Sequence, residues 1–225
     1  MKKAICYSGS FRTFADCIKN HKEVFGDCDV YISTWSDPQR VSKTSDIKHS
    51  TSSIEVPSKI TEKYVESLIP DGFNLKNLRI EDYDRKLLRN IKTDWEGVIE
   101  RLSYQYYKIK DCHEMIEDSY DLLVRMRCDI KIKQMPIEEG KITFPRMVWH
   151  GLKYDAARKM MNEMVWACNK QLMDKAVKIY DNLDKINSML SPSGMYGESV
   201  CWHSFNLENL TEFMSPRDFD YEVIR

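Results

Sequence analysis

The sequence has no surplus of charge, no paired cysteines, no long apolar run and no glycine-rich, lysine-containing phosphate loop, and each absence removes a class of function. Its 34 Lys and Arg against 35 Asp and Glu leave a formal net charge of -1, which offers no general attraction to nucleic acid. Seven cysteines (Cys6, Cys17, Cys28, Cys112, Cys128, Cys168 and Cys201) contain no C-x-x-C pair, so neither a zinc ribbon nor a dithiol redox centre is expected. They read as reduced thiols, and those in apolar surroundings, such as Cys6 and Cys168, act as small hydrophobes. The five histidines (His21, His49, His113, His150 and His203) lack metal-ligand spacing and read as surface or partly buried. No stretch approaches the ~18 apolar residues of a membrane span, and the N-terminus turns polar at Ser8 before reaching signal-peptide length. A cytoplasmic protein without a membrane span is the expectation.

What is present is an alternation of apolar segments with two periodicities. With 225 residues, 42% hydrophobic and 31% charged, one domain covering 1–225 is expected. Ala4 to Tyr7 reads as a strand, Ser8-Gly9-Ser10 as a tight loop, and Phe14, Ile18 and Val24 or Phe25 as the stripe of a helix. Asp29 to Thr34 gives a second strand. The signal weakens from about Ser36 to Asn90, where the polar stretch Ser42 to Ser53 reads as a mobile surface loop. Leu102, Tyr106, Ile109 and Met115 or Ile116 mark a long amphipathic helix, with Glu100, Arg101, Lys108 and Glu114 on its other face. Leu122 to Arg127 reads as a buried strand, Lys141 to Phe144 and Val165 to Ala167 as short strands, and the segment through His150 as irregular. Leu172, Ala176, Ile179 and Leu183 form the stripe of one helix over about 170–185, and a last helix begins near Glu198 before a loose end. This pattern implies an α/β fold with a mainly parallel central sheet flanked by helices.

In such sheets ligands bind at the carboxyl ends of strands, and two segments there carry suitable chemistry. The loop Ser8-Gly9-Ser10-Phe11-Arg12 could hold a phosphate through backbone N–H groups and a guanidinium. In Arg125-Met126-Arg127-Cys128-Asp129, alternation places Arg125, Arg127 and Asp129 on one side of a strand. Buried arginines require carboxylates or a bound anion, so this segment is either an internal ion pair or part of a site.

Taken together, Tyr7-Ser8-Gly9-Ser10-Phe11-Arg12, Asp29-Val30-Tyr31-Ile32-Ser33-Thr34-Trp35, Tyr104-Gln105-Tyr106-Tyr107-Lys108 and Tyr120 to Asp129 resemble a family of GT-A-like glycosyltransferases encoded by large DNA viruses and bacterial surface-polysaccharide loci. The resemblance continues more loosely through Asn162 to Ala167 and Gly197-Glu198. It implies a Rossmann-like nucleotide-sugar site in the half at about 1–130, with Ser8, Gly9, Ser10, Arg12, Trp35, Gln105, Lys108 and Arg125 binding the donor, and an acceptor side at about 131–225. Such enzymes carry Asp-x-Asp to hold Mn²⁺ or Mg²⁺ against the donor's two phosphates. Here Arg127 replaces the first aspartate, so Asp129 is left as the metal ligand while Arg127 supplies part of the charge. Glu198 resembles the acidic residue that takes the acceptor hydroxyl's proton, and equally fits an ordinary first-turn glutamate. Asp155 and Glu163 are further acidic candidates, and Trp149 and Tyr196 could stack on a sugar.

Three readings follow from these residues. The first is a glycosyltransferase acting from a nucleotide-diphosphate sugar onto an oligosaccharide or glycoconjugate. The second is a nucleotide-sugar or glycan-binding module without turnover. The third, a nucleotidyltransferase, is disfavoured by the missing phosphate loop.

Overall fold

The computed structural model describes residues 1–11, 13–38, 56–92, 98–149, 152–154, 161–192, 195 and 197–224. Ser42 to Ser53, Arg12, His150, Asp155 and Tyr196 lie outside the described residues. The chain opens with β1 (Lys3–Gly9), α1 (Phe14–Phe25) and β2 (Cys28–Trp35), then α2 (Glu62–Leu68) and β3 (Phe73–Glu81). Next come α3 (Val98–Glu114), β4 (Leu122–Arg127), β5 (Ile130–Ile132), β6 (Ile142–Pro145), β7 (Met147–Trp149) and β8 (Leu152–Tyr154). The last part holds β9 (Val165–Cys168), α4 (Lys170–Ala176), α5 (Ile179–Met189), α6 (Gly197–Leu207), β10 (Met214–Arg217) and β11 (Tyr221–Val223).

Seven strands form one sheet in the order β10-β6-β9-β4-β1-β2-β3. β1 pairs in parallel with both β2 and β4, and β3 in parallel with β2, whereas β9 runs antiparallel to β4 and β6. The central strands are apolar on both faces because each face is covered, as parallel sheets require. On one face α3 to α6 pack Leu102, Tyr106, Ile109, Leu183 and Phe205 against Leu123 and Trp166. On the other, Phe14 and Ile18 of α1 pack against Ile5, Ile32, Val124 and Met126.

Several local expectations change. β3 was hidden because it is an edge strand on which only Phe73 is fully buried, and because a register shift after Leu75 breaks the alternation of Phe73 and Leu75 from that of Leu78 and Ile80. The stripe Leu172, Ala176, Ile179 and Leu183 is buried as expected, but it belongs to two helices separated by a turn at Val177-Lys178. The stretch near His150 contributes the hairpin strands β7 and β8. The loose end forms two strands: Asn209 leaves α6 with φ 56°, a left-handed conformation that asparagine tolerates, and turns the chain toward β10 and β11. His21 is fully buried, with its ring nitrogens 3.0 Å from the Tyr7 hydroxyl and 2.6 Å from the Ile130 carbonyl; burial lowers its pKa to about 4, so it ties α1 to β1 and β5 as a neutral ring.

Lys108, expected on the polar face of α3, is also fully buried. Its ammonium lies 2.5 Å from Glu81 Oε2 and 3.6 Å from Asp111 Oδ2, 4.3 Å from the centre of the Trp35 ring. Asp111 in turn accepts from Ser33 and Arg79. Removing one partner of a buried charge costs about 3–5 kcal/mol, whereas an exposed pair contributes about 0–1 kcal/mol. Asp111→Ala should therefore lower the urea midpoint sharply, and Asp184→Ala, which removes the 62% exposed partner of Arg89, should leave it nearly unchanged.

Candidate functional site

The carboxyl ends of β1, β2 and β4 lie side by side. In register, Ser8 sits between Ser33 and Arg127, and Gly9 opposite Thr34. Gly9 has φ 112°, a conformation open to glycine and rarely to other residues, and no atom of the described residues lies within 4 Å of where its side chain would be. The backbone is thus left bare where β1 ends. Thr34 Oγ1 donates to the Gly9 carbonyl at 2.8 Å and Ser10 Oγ to the Pro38 carbonyl at 3.1 Å, which fixes the loop. Ser8 Oγ is buried and has no hydrogen-bond partner among the described residues.

β4 brings two guanidiniums to the same end. Arg127 grips Asp129 with two bonds, Nε to Oδ1 at 2.9 Å and Nη2 to Oδ2 at 2.6 Å. Burial alone would lower the pKa of this arginine, but the Asp129 carboxylate outweighs burial and raises it. Arg125, one turn of the pleat earlier, donates through Nη1 to the Glu163 carbonyl and lies 4.9 Å from the centre of the Trp166 ring. Its burial lowers its pKa to about 10, partly offset by Glu163, so it remains a cation at neutral pH.

The segment before β9 crosses over these arginines. Arg127 N donates to the Met164 carbonyl at 3.1 Å, Met164 N to Asn162 Oδ1 at 2.8 Å, and Asn162 Nδ2 to the Tyr221 hydroxyl at 2.9 Å. Glu163 and the first turn of α6 then meet: the Tyr106 hydroxyl is 2.8 Å from both Glu163 Oε2 and the Gly197 carbonyl. Glu198, next in the chain, has its pKa raised to about 7, first by burial and then by the negative charge of Glu163; its own backbone N–H, Arg101 and Arg127 pull the other way.

The nominated residues therefore fall into two groups. Ser8, Gly9, Ser10, Arg125, Arg127, Asp129 and Glu198 share the β1/β4/α6 region. Trp35, the last residue of β2, and Lys108 lie at the neighbouring carboxyl ends of β2 and β3, engaged in the buried cluster with Glu81, Trp35 stacked on Tyr83 at 4.4 Å, and Gln105 is half-buried with Nε2 unpartnered among the described residues. Glu163 was named in the sequence as one acidic candidate among others; Tyr106 was read as part of an apolar stripe, Asn162 entered only through the looser resemblance, and Tyr221 gave no signal. As for a metal, both Asp129 oxygens accept from Arg127, and no group of three or more His, Cys, Asp or Glu side chains among the described residues is placed to hold an ion. This set does not fit a hard divalent cation, which needs about six oxygen ligands. Among the described residues no helix is long and apolar enough to cross a membrane.

No protein-family model and no curated protein matches the sequence. Solved structures do match: the crystal structure of the glycosyltransferase GlyE of Streptococcus pneumoniae TIGR4 superposes with a TM-score of 0.51 at 9% identity, over 97% of this chain and 46% of that one. An active-site mutant of LgtC superposes with a TM-score of 0.52 at 10% identity, over 96% of this chain and 72% of that one. The chain thus spans just under half the length of GlyE. What the likeness shows is the fold, a GT-A-like α/β architecture with a mainly parallel central sheet.

The raised Glu198 pKa makes a stability prediction. Between the ordinary carboxyl value of 4.5 and about 7, the unfolded chain has shed a proton that the native protein still holds, so this carboxyl's contribution to stability falls as pH rises through that window. Glu198→Gln should flatten that component, and the gain in melting temperature over wild type should be larger at pH 8 than at pH 4. An equal gain at both pH values would show that Glu198 titrates normally.

Proposed function

We propose that this protein is a glycosyltransferase that moves a sugar from a nucleotide-diphosphate sugar to a hydroxyl group of a saccharide acceptor during glycan synthesis. The observation that carries the reading is the convergence, at the carboxyl ends of β1 and β4, of a bare backbone turn at Gly9, the paired Arg127 and Asp129, and the half-buried Glu198 of α6. In this reading residues 1–130 provide the donor half and 131–225 the acceptor side. The loop Ser8 to Arg12 binds the nucleotide of the donor, and the end of β4 at Arg127 and Asp129 takes the diphosphate. Arg125 holds the segment that carries Glu163 and lies behind the site.

The reaction asks little covalent chemistry of the protein. The acceptor oxygen bonds to the sugar's anomeric carbon, the bond from that carbon to the phosphate oxygen breaks, and the electron pair leaves with the nucleoside diphosphate. The acceptor proton passes to the Glu198 carboxylate. General-base assistance of this kind contributes about 10²–10⁴-fold, so Glu198→Gln should reduce kcat by that factor while donor affinity stays near wild type. Asp129→Ala releases the guanidinium of Arg127 and should abolish transfer in a protein that still folds; wild-type turnover would overturn the role given to the pair. A cation such as Mn²⁺ or Mg²⁺ would supply Lewis-acid stabilisation of the leaving diphosphate in a GT-A site, but no step here is routed through one because Asp129 is committed to Arg127.

The commitment of both Asp129 oxygens also favours a second reading, a donor- or glycan-binding module with the same fold and no turnover. One experiment separates them. A ligand that binds only the native state raises its melting temperature, so the protein should be stabilised by one family among UDP-, GDP-, dTDP- and CMP-sugars, equally in EDTA and in Mn²⁺. Stabilisation together with release of nucleotide in the presence of an acceptor supports transfer; stabilisation without release supports the binding module; stabilisation that requires Mn²⁺ shows that Asp129 leaves Arg127 for a metal.

A further inference from the structure

We propose that Glu163 is the positioning residue for Glu198, a second carboxylate seated in the notch at Gly197 against the first turn of α6. Glu163 is 6% exposed, and its carboxylate occupies the space that a side chain at Gly197 would fill: a Cβ there would lie 2.6 Å from Glu163 Cδ. The glycine is therefore a notch, and the carboxylate is seated in it. Its hydrogen bond comes from the neutral, fully buried Tyr106 hydroxyl at 2.8 Å, while Arg125 donates through Nη1 to the Glu163 backbone carbonyl. On the other side Met161 N donates to the Glu198 carbonyl at 3.2 Å, so the segment before β9 and the start of α6 are clamped together.

A carboxylate seated against Gly197, the residue before Glu198, opposes a second negative charge on that turn and raises the proton affinity of Glu198. The groups that face the pair are Arg101 and Tyr106 from α3, Arg125 and Arg127 from β4, Cys201 from α6 and Tyr221 from β11. Arg101 and Arg127 favour the ionised form of Glu198, yet burial and Glu163 act against them more strongly. In the transfer reaction this arrangement makes Glu198 a better base than an isolated carboxylate. That use rests on the function proposed above, whereas the pairing does not.

The test is a carbon-detected NMR titration of the glutamate carboxyls, with the Glu198 signal assigned by its loss in Glu198→Gln. Two variants remove the partner by different routes: Glu163→Gln deletes the charge and keeps the shape, and Gly197→Ala fills the notch and displaces the carboxylate. In each folded variant the Glu198 midpoint should fall by about one pH unit, the coupling expected of carboxyls sharing a site. A midpoint unchanged in the variants that fold would overturn the pairing and leave burial as the whole cause; if one variant fails to fold, the other decides. In the transfer assay the acid limb of kcat/KM should move down with the midpoint in Glu163→Gln and return toward wild type in Glu163→Asp. A shifted midpoint in a protein whose wild type transfers nothing supports the pairing and removes the glycosyltransferase reading instead.

Discussion

Arg125 and Arg127 of the central strand β4 are the charges that the surrounding structure is arranged to hold. A guanidinium taken out of water costs several kcal/mol unless its hydrogen bonds are replaced, and here two stand two residues apart on one strand of a covered sheet. Each is met differently. Arg127 receives a carboxylate in a two-bond grip from Asp129; Arg125 receives a backbone carbonyl at Nη1 and an aromatic face, with Nε and Nη2 left unpartnered among the described residues. The carbonyl belongs to Glu163, so the need to satisfy Arg125 also determines where the Glu163 side chain emerges. From there Tyr106 and Gly197 follow, and with them the start of α6 and Glu198. The placement of the site is in this sense a consequence of burying β4.

The β2–β3 edge of the sheet solves the same problem with lysine. Lys108 is surrounded by Glu81, Asp111 and the face of Trp35, and the cluster joins β2, β3 and α3. A charge used this way is fully engaged by its neighbours, which distinguishes it from a half-buried carboxyl whose proton is still exchangeable near neutrality. Both kinds of burial occur in this protein, one holding an edge strand against the sheet and the other lining the region where the candidate residues converge.

The elements legible in the sequence were those whose burial is written locally. β1, β2 and β4 are apolar runs, and the stripes of α1 and α3 repeat at helical spacing. β3 was not legible because the register shift after Leu75 splits its alternation into two short phases on a mostly polar edge strand, and without β3 the partner that buries Lys108, Glu81, is invisible too; only Asp111, three residues along the same helix, was in principle readable. The split between α4 and α5 escaped because a buried stripe reports which residues face the core and not whether the backbone between them stays helical. At the site, Arg127, Asp129 and Glu198 could be nominated from type and position. The seat of Glu163 could not, since it depends on how α6 docks against a segment 34 residues away.

The same reasoning applies to the end of the described chain. Ile224 N donates to the Asp129 carbonyl at 2.8 Å, and Thr13 Oγ1 to the Ile224 carbonyl at 2.9 Å, while β11 pairs antiparallel with β5. One short strand therefore joins the start of α1, the turn after β4 and, through Tyr221, the segment carrying Asn162 and Glu163. Nothing in its composition marks it, because a three-residue strand pairs through backbone groups that every sequence possesses. Asp129 is held in consequence from both sides, its carboxylate by Arg127 and its backbone by the tail, which limits the positions its oxygens can reach. A residue so constrained is suited to orienting a neighbouring guanidinium, and poorly suited to rearranging around an ion that demands its own geometry.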